Sequence, residues 1–359
     1  VDVKESIRPY GIQTHIGNSE NIIHEVFAFQ DNNFGILFNN PDNSGSIIYK
    51  YSDTYELLDS IEFFGIKYSR PSFDDQGNLI LVGYNHQNYG QIVGSKISPD
   101  LKLLDYRVLN PLLPKNPGNK YNVKLVRLSN GNYVVAYTLE PTDNRYRTIL
   151  CSAEDLFNGF VLNWQTIENH LYGQGIEELI SSDDGGFYIS GDHRSSEPKN
   201  YVAKYNSQGE KLWELVLELE WSTYQLSEFS NGVIFSDAYD NYLIDRQGNL
   251  MLEVQHAKID AWHNTSNFIE KGGALFYISD LYNVDGKLVE LRKTNLQLEE
   301  LNSVIRGSWA SNAGMDSKRF LIELSEGKMV SISHIQNPEG RGNYWLMLGF
   351  DEELKMEGE

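Results

Sequence analysis

The feature that most constrains this chain is an internal repeat. The stretch "SSDDGGFYISGD" (Ser181 to Asp192), followed by "YVAKYNSQGEKLWE" (Tyr201 to Glu214), sets out strand, tight turn, alternating strand, loop, strand, second turn and strand. The same order returns from Pro71, Lys124, Leu226 and Asn267, and in more diverged form from Val26 and Arg319. Asp or Asn followed by Gly supplies the φ > 0 positions of a tight hairpin, and flanking alternation makes a half-buried strand. Four strands in each unit of roughly 40–50 residues is the pattern of a propeller blade. Helix signals are scarce, "SAEDLFNG" being the best single turn. The chain therefore reads as all-β, a single β-propeller over residues 1–359, with seven four-stranded blades and six or eight as the alternatives. The units begin near residues 21, 68, 121, 172, 221, 262 and 309.

Ring closure can be anticipated as well. The last unit runs "NYWLMLGF", turns at "DEEL" and ends at "KMEGE", leaving its outer strand short. The leading segment "ESIRPYGIQTH", Glu5 to His15, has no blade of its own. An unclosed ring leaves a raw sheet edge, so residues 1–20 are expected to provide the closing strand and its lead-in.

The units "DDGGFYISG" and "AKYNSQGEKLW" resemble bacterial β-propeller repeats of the quinoprotein-like superfamily, where a Gly-Gly-aromatic hairpin precedes an apolar-Lys-apolar strand and a Gly-x-x-x-Trp turn. The resemblance implies a propeller. The quinone enzymes of that group repeat the Gly-Trp motif in most blades, whereas only Trp213 occupies that position well here. No cofactor is therefore expected. "SSDDGGFY" also fits the Asp-box of sialidase-like propellers, but it occurs once and a hairpin turn accounts for it.

The formal charge of −20 bears on partners. Nucleic-acid binding needs a basic footprint, so DNA, RNA and anionic membrane surfaces are poor partners for this chain. No run approaches the ~18 apolar residues of a membrane span. The single cysteine, Cys151, lies in the apolar run "RTILCSAEDL" and reads as a buried thiol. The chain starts "VDVKES", read as a mature chain after loss of an export signal or as a trimmed one; Asn, Tyr and Ser in the loops lean towards a secreted or cell-envelope location.

In an up-and-down blade, the first and third turns share one face of the ring. Here those turns are short, while the connections on the other face are long, such as "GDHRSSEPKN" and "NPLLPKNPGNKY". Loops held by a rigid scaffold are where recognition usually sits. Six of the long blade-to-blade connections carry an aromatic at intervals of 41 to 53 residues: Tyr68, Tyr121, Tyr172, Trp221, Trp262 and Trp309, with Arg70, Tyr224 and His263 beside them. Two readings are open. The rings wedge between neighbouring blades, or they line the channel mouth and stack on a sugar or clasp a peptide.

Catalytic patterns are few. Glu177, Glu178, Glu228 and Asp316 fall in inner-strand stretches, where paired carboxylates facing the channel would suit glycoside cleavage. Alternation along a strand would turn one of Glu177 and Glu178 inward. The eight histidines show no metal-ligand spacing, and no nucleophile elbow, P-loop or dinucleotide fingerprint appears. The reading is a non-catalytic propeller binding a glycan or protein ligand through its aromatic loop face. A carbohydrate hydrolase or lyase is the alternative, and a structural subunit of an envelope assembly, held by its blade sides, the second.

Overall fold

The structure, a computed structural model, describes residues 13–14, 22–40, 45–87, 91–109, 122–139, 146–157, 162–170, 175–194, 198–218, 225–236, 240–255, 266–283, 286–309, 319–324, 328–336 and 343–355. Seven antiparallel sheets form a seven-bladed β-propeller. The innermost strands of blades 1 and 3–7 are Ile22–Ala28, Val123–Arg127, Gly175–Ser181, Gln225–Phe229, Ile269–Lys271 and Arg319–Glu323. Blade 2 splits its inner strand into Ile66–Tyr68 and Ser72–Phe73, both paired with Leu79–Asn85. Pro71, which lacks a ladder donor, lies in the gap. Outer strands include Leu57–Phe64 in blade 1, Leu103–Val108 in blade 2, Lys211–Glu218 in blade 4 and Leu250–Gln255 in blade 5.

Gln13–Thr14 closes the ring as the outer strand of blade 7, with Gln13 opposite Leu346 and Thr14 opposite Trp345. The strand anticipated from the leading segment is thus present in the sheet.

The core lies between blades. Second strands such as Phe34–Asn39 and Leu79–Asn85 are buried on both faces, which is why they read as unbroken apolar runs. Each seam has its own apolar cluster; Phe27, Leu37, Phe63, Tyr68 and Leu81 meet between blades 1 and 2, for example.

A size rule governs the outer part of these seams. The turn between third and fourth strands places one residue in the left-handed region: Tyr55, Leu101, Gly209, Gly248, Leu298 and Leu354. Where the preceding blade offers a tryptophan, that residue is glycine. Trp164 stacks on Gly209 and donates Nε1–H to the Ser207 carbonyl at 2.8 Å; Trp213 stacks on Gly248 and donates to the Arg246 carbonyl at 2.9 Å. A Cβ on Gly248 would stand 2.7 Å from the Trp213 ring, so only glycine fits. Where the preceding blade carries a smaller side chain (Asp59, Leu252 or Asn302), a leucine takes the left-handed position and fills the gap itself. Leu101 and Leu354 are buried there, at a backbone cost of about 1–2 kcal/mol each.

The apolar-Lys-apolar strand of the repeat also has a purpose. Lys50 reaches Asp31 and Lys96 reaches Asp74, both at 2.7 Å, and Lys204 pairs with Asp184. In each case a third-strand lysine neutralises the acidic hairpin of its own blade.

Candidate functional site: the central channel and its faces

Inner strands of all seven blades enclose a cavity of about 560 Å³ on the propeller axis. Many residues along its wall are apolar in type, as at Leu125–Val126 and Leu179–Ile180, but polar atoms make up the larger share of its surface. The charged groups are few: Arg70, Arg127, Glu228 and Glu323. Arg70 enters from the break in the blade 2 inner strand, beside Pro71, and its Nε stands 3.7 Å from Glu25 of blade 1.

The remaining three serve as ties between blades. Arg127 of blade 3 reaches Asp75 at 2.8 Å and donates to the Phe73 carbonyl of blade 2. Glu228 of blade 5 accepts the Ser182 hydroxyl at 2.6 Å and the Asp183 amide at 2.9 Å, both in the blade 4 hairpin. Burial pushes the Glu228 carboxyl up, against the Ser182 bond that lowers it. Glu323 of blade 7 pairs with Lys271 of blade 6 at 2.6 Å, and Glu270 of blade 6 accepts the Ser230 amide of blade 5. The other seams on the short-turn face are tied too: Lys50 donates to the Pro99 carbonyl, Trp164 to Ser207, and Lys328 to the Asp53 carbonyl. This face is stitched seam by seam around the ring.

Nearer the other face, backbone clasps replace charges. Asn267 of blade 6 both donates to the Leu321 carbonyl at 2.7 Å and accepts its amide at 2.9 Å in blade 7. Ser227 accepts the Phe268 amide, and Thr138 and Asn122 hold the Ile176 peptide of blade 4. These contacts tie neighbouring inner strands together around the channel.

Tyr68 is a wedge: it is 1% exposed, packs edge-on to Phe63 with centroids 4.9 Å apart and shares a hydrogen bond with Ser95. The reason is its place on the first half of the split strand, paired with Gly83 before the chain reaches the axis. Trp309 ends the outer strand of blade 6 opposite Lys287, so its backbone lies on the circumference. Tyr121, Tyr172, Trp221, Tyr224, Trp262, His263 and Asp316 lie outside the described residues. Glu177 sits at a bulge, since Ile176 pairs with Gly191 and Glu178 with Ser190. The bulge breaks the alternation assumed above, and neither glutamate belongs to the channel wall. Of the anticipated residues, the structure brings Arg70 and Glu228 to the channel.

Trp164, Arg127 and the Lys271–Glu323 pair were missed in the sequence. Trp164 follows a longer turn than Trp213, so counting from the turn hides it; counting from the third strand, where it faces Ser152, finds it. Among the described residues no three His, Cys, Asp or Glu are gathered as a metal site. Cys151 is buried, and burial pushes its thiol up to about 12.

No protein-family model and no curated protein matches the chain. Solved structures do. Puromycin hydrolase matches with TM-score 0.59 and 11% identity over 95% of this chain and 53% of that one. BBS1N, solved in complex with ARL6DN, gives 0.55 and 11% over 95% and 97%. The Pan2 WD40 domain of Neurospora crassa gives 0.56 and 10% over 93% and 97%. The chain spans about half the length of the hydrolase and nearly the whole of the other two. At these identities the shared property is the propeller fold.

Proposed function

We propose that the chain is a non-catalytic interaction propeller that recognises a glycan or a protein segment through its long-loop face, in a secreted or cell-envelope setting. The observation that carries this reading is how the channel's charges are used. Arg127, Glu228 and Glu323 each bond to a neighbouring blade's turn or turn-flanking side chain, which makes them parts of the frame and not a converging acid–base pair. With the short-turn face occupied by its own stitching, the variable loops opposite are the surface left for a ligand. That two of the similar structures are a WD40 domain and a chain solved with a partner is compatible with the reading.

The test is a glycan array and a peptide array probed with the wild type beside Trp221→Ala/Trp262→Ala. Binding that disappears in a variant with an unchanged melt supports the reading. Turnover of a bound glycan, abolished by Glu228→Gln, would replace it with the hydrolase alternative.

A further inference from the structure

Polar atoms prevail on the channel wall although many of its residues are apolar, because inner-strand side chains such as Leu125 and Leu179 turn into the seams. What faces the axis there is backbone. An antiparallel edge strand turns every other N–H and C=O away from its partner strand, here towards the channel. Leu321 shows the pattern, since Asn267 bonds both its amide and its carbonyl. Leu125 in blade 3 and Leu179 in blade 4 hold the same place, the third pair from the hairpin. Among the described residues no side chain bonds the peptide groups of these two leucines.

Blade 2 brings a charge to this backbone wall. Between the pairs Tyr68–Gly83 and Ser72–Ile80 three residues face two, so the inner strand bulges. Ser69 anchors the bulge, its amide and its hydroxyl both donating to the Val82 carbonyl, at 3.0 and 2.8 Å. Pro71 is buried, stands level with Leu125 and has no amide N–H to offer. Between them Arg70, its side chain 43% exposed, enters the cavity.

Blade 6 builds the same device from Ser266, whose amide donates to the Ile278 carbonyl, and Asn267. There the side chain after the serine clasps the next blade. Arg70 does not. Among the described residues it makes no hydrogen bond, and Glu25 of blade 1 lies beyond hydrogen-bonding distance at 3.7 Å.

A guanidinium fork matches a carboxylate or a phosphate bidentately. Charge selects between them. Glu25 stands beside Arg70, and Glu228 and Glu323 line the same cavity, which favours one negative charge over a phosphate dianion. The peptide groups nearby call for donors and acceptors spread around the axis. Sugar hydroxyls serve as both, around the rim of a ring. An extended peptide presents its groups along one line and would pair with one edge only. The cavity, about 560 Å³, lies within the roughly 300–1,000 Å³ usual for small-ligand sites.

From this geometry we infer that the channel beside Arg70 takes one hexuronate residue of a short glycan, its carboxylate on the guanidinium and its hydroxyls on the Leu125 and Leu179 peptides. The inference rests on the glycan reading proposed above and gives it a substrate class. A net charge of −20 holds off polyuronates, so the acidic sugar is a single one.

The experiment is an NMR titration of the full chain with methyl glucuronide, methyl glucoside, glucose 6-phosphate and N-acetylglutamate. Wild type binds the glucuronide about tenfold or more tighter than each of the others. Arg70→Gln brings the glucuronide down to the level of the glucoside. Arg70→Lys, which keeps the charge without the fork, falls between, and decides the matter if Arg70→Gln melts early. Arg107→Gln on the blade 2 outer strand changes nothing. Absent glucuronide binding, or a preference that survives Arg70→Gln, would overturn the inference. So would equal binding of N-acetylglutamate, which points to an acidic protein segment, or of glucose 6-phosphate, which points to phosphate. Glycans lost from the array in Trp221→Ala/Trp262→Ala but kept in Arg70→Gln would sink this inference and leave the proposed function standing. Glucuronide binding that needs Arg70 and survives the tryptophan changes would leave the channel site standing and remove the aromatic loop face.

Discussion

The Trp–Gly seam gives a prediction whose size can be worked out. Trp213 is half-buried, stacks on Gly248, lies 5.9 Å from the Tyr188 ring and donates to the Arg246 carbonyl. Removing a buried tryptophan side chain costs about 3–5 kcal/mol, and partial exposure puts Trp213→Ala near the low end, about 3 kcal/mol. Gly248→Leu fails for two separate reasons. Its φ of +86° is left-handed, costing about 1–2 kcal/mol for an L side chain. Its side chain also collides with the indole, and overpacking adds about 1–3 kcal/mol.

The two changes together remove the collision. They convert the seam to the pattern used between blades 6 and 7, where Leu354 fills space beside Asn302. The double variant should therefore be about 2–3 kcal/mol more stable than the sum of the single losses. Equilibrium urea unfolding of all four proteins measures this directly, with the same comparison at Trp164 and Gly209 as a replicate. Losses that add within about 0.5 kcal/mol would refute the size rule, showing that the tryptophan and glycine act independently.

Acid should weaken the blades through their lysine–aspartate hairpins. Burial works against ionisation of Asp74, but Lys96, Asn78 and two backbone amides win and hold it down at about 2; Asp31 and Asp184 are lowered by their lysines in the same sense. Groups depressed in the folded state stabilise it above their unfolded pKa and lose that contribution as pH falls through the folded value. Stability should thus drop between about pH 4 and pH 2, by about 1–2 kcal/mol for Asp74 after solvent screening, and Asp74→Asn should flatten that limb of a urea-midpoint-versus-pH curve. Deleting residues 1–16 removes the strand paired with Leu346 and Trp345 and should lower the melting temperature by roughly 5 °C or more; an unchanged melt would mean the ring holds without it. Cys151 should resist a thiol reagent in the native protein and react at once in urea; fast native labelling would contradict its burial.

Much of the frame was legible because its determinants are local. The hairpin glycines fix φ, the third-strand lysines meet acids in their own blades, and the period fixes the number of units. The seams were less legible because each depends on residues about forty positions apart. Trp213 is recognisable as a docking residue, but Gly248 across from it looks like any turn glycine. Leu101 and Leu354 look like poor turn residues until the neighbouring blade is in view. Positional counting placed Tyr68 at the mouth, yet a blade-to-blade connection crosses the whole radius of the ring. One shared interval therefore puts Tyr68 in a seam and Trp309 at the circumference.

That same radial view explains why function is hard to find by scanning for reactive residues. Arg127 and Glu228 look catalytic on a list of channel-lining groups, being charged, part-buried and on the axis. Their bonds run tangentially, from one blade to the next, and a group pulled sideways at 2.6–2.8 Å is already satisfied without a ligand. The sites to suspect are the places where the tangential pattern fails. Arg70 is released by the break at Pro71 and meets Glu25 only at 3.7 Å. A charged group that the frame does not already hold is where a ligand of opposite charge could gain a bond without first breaking one.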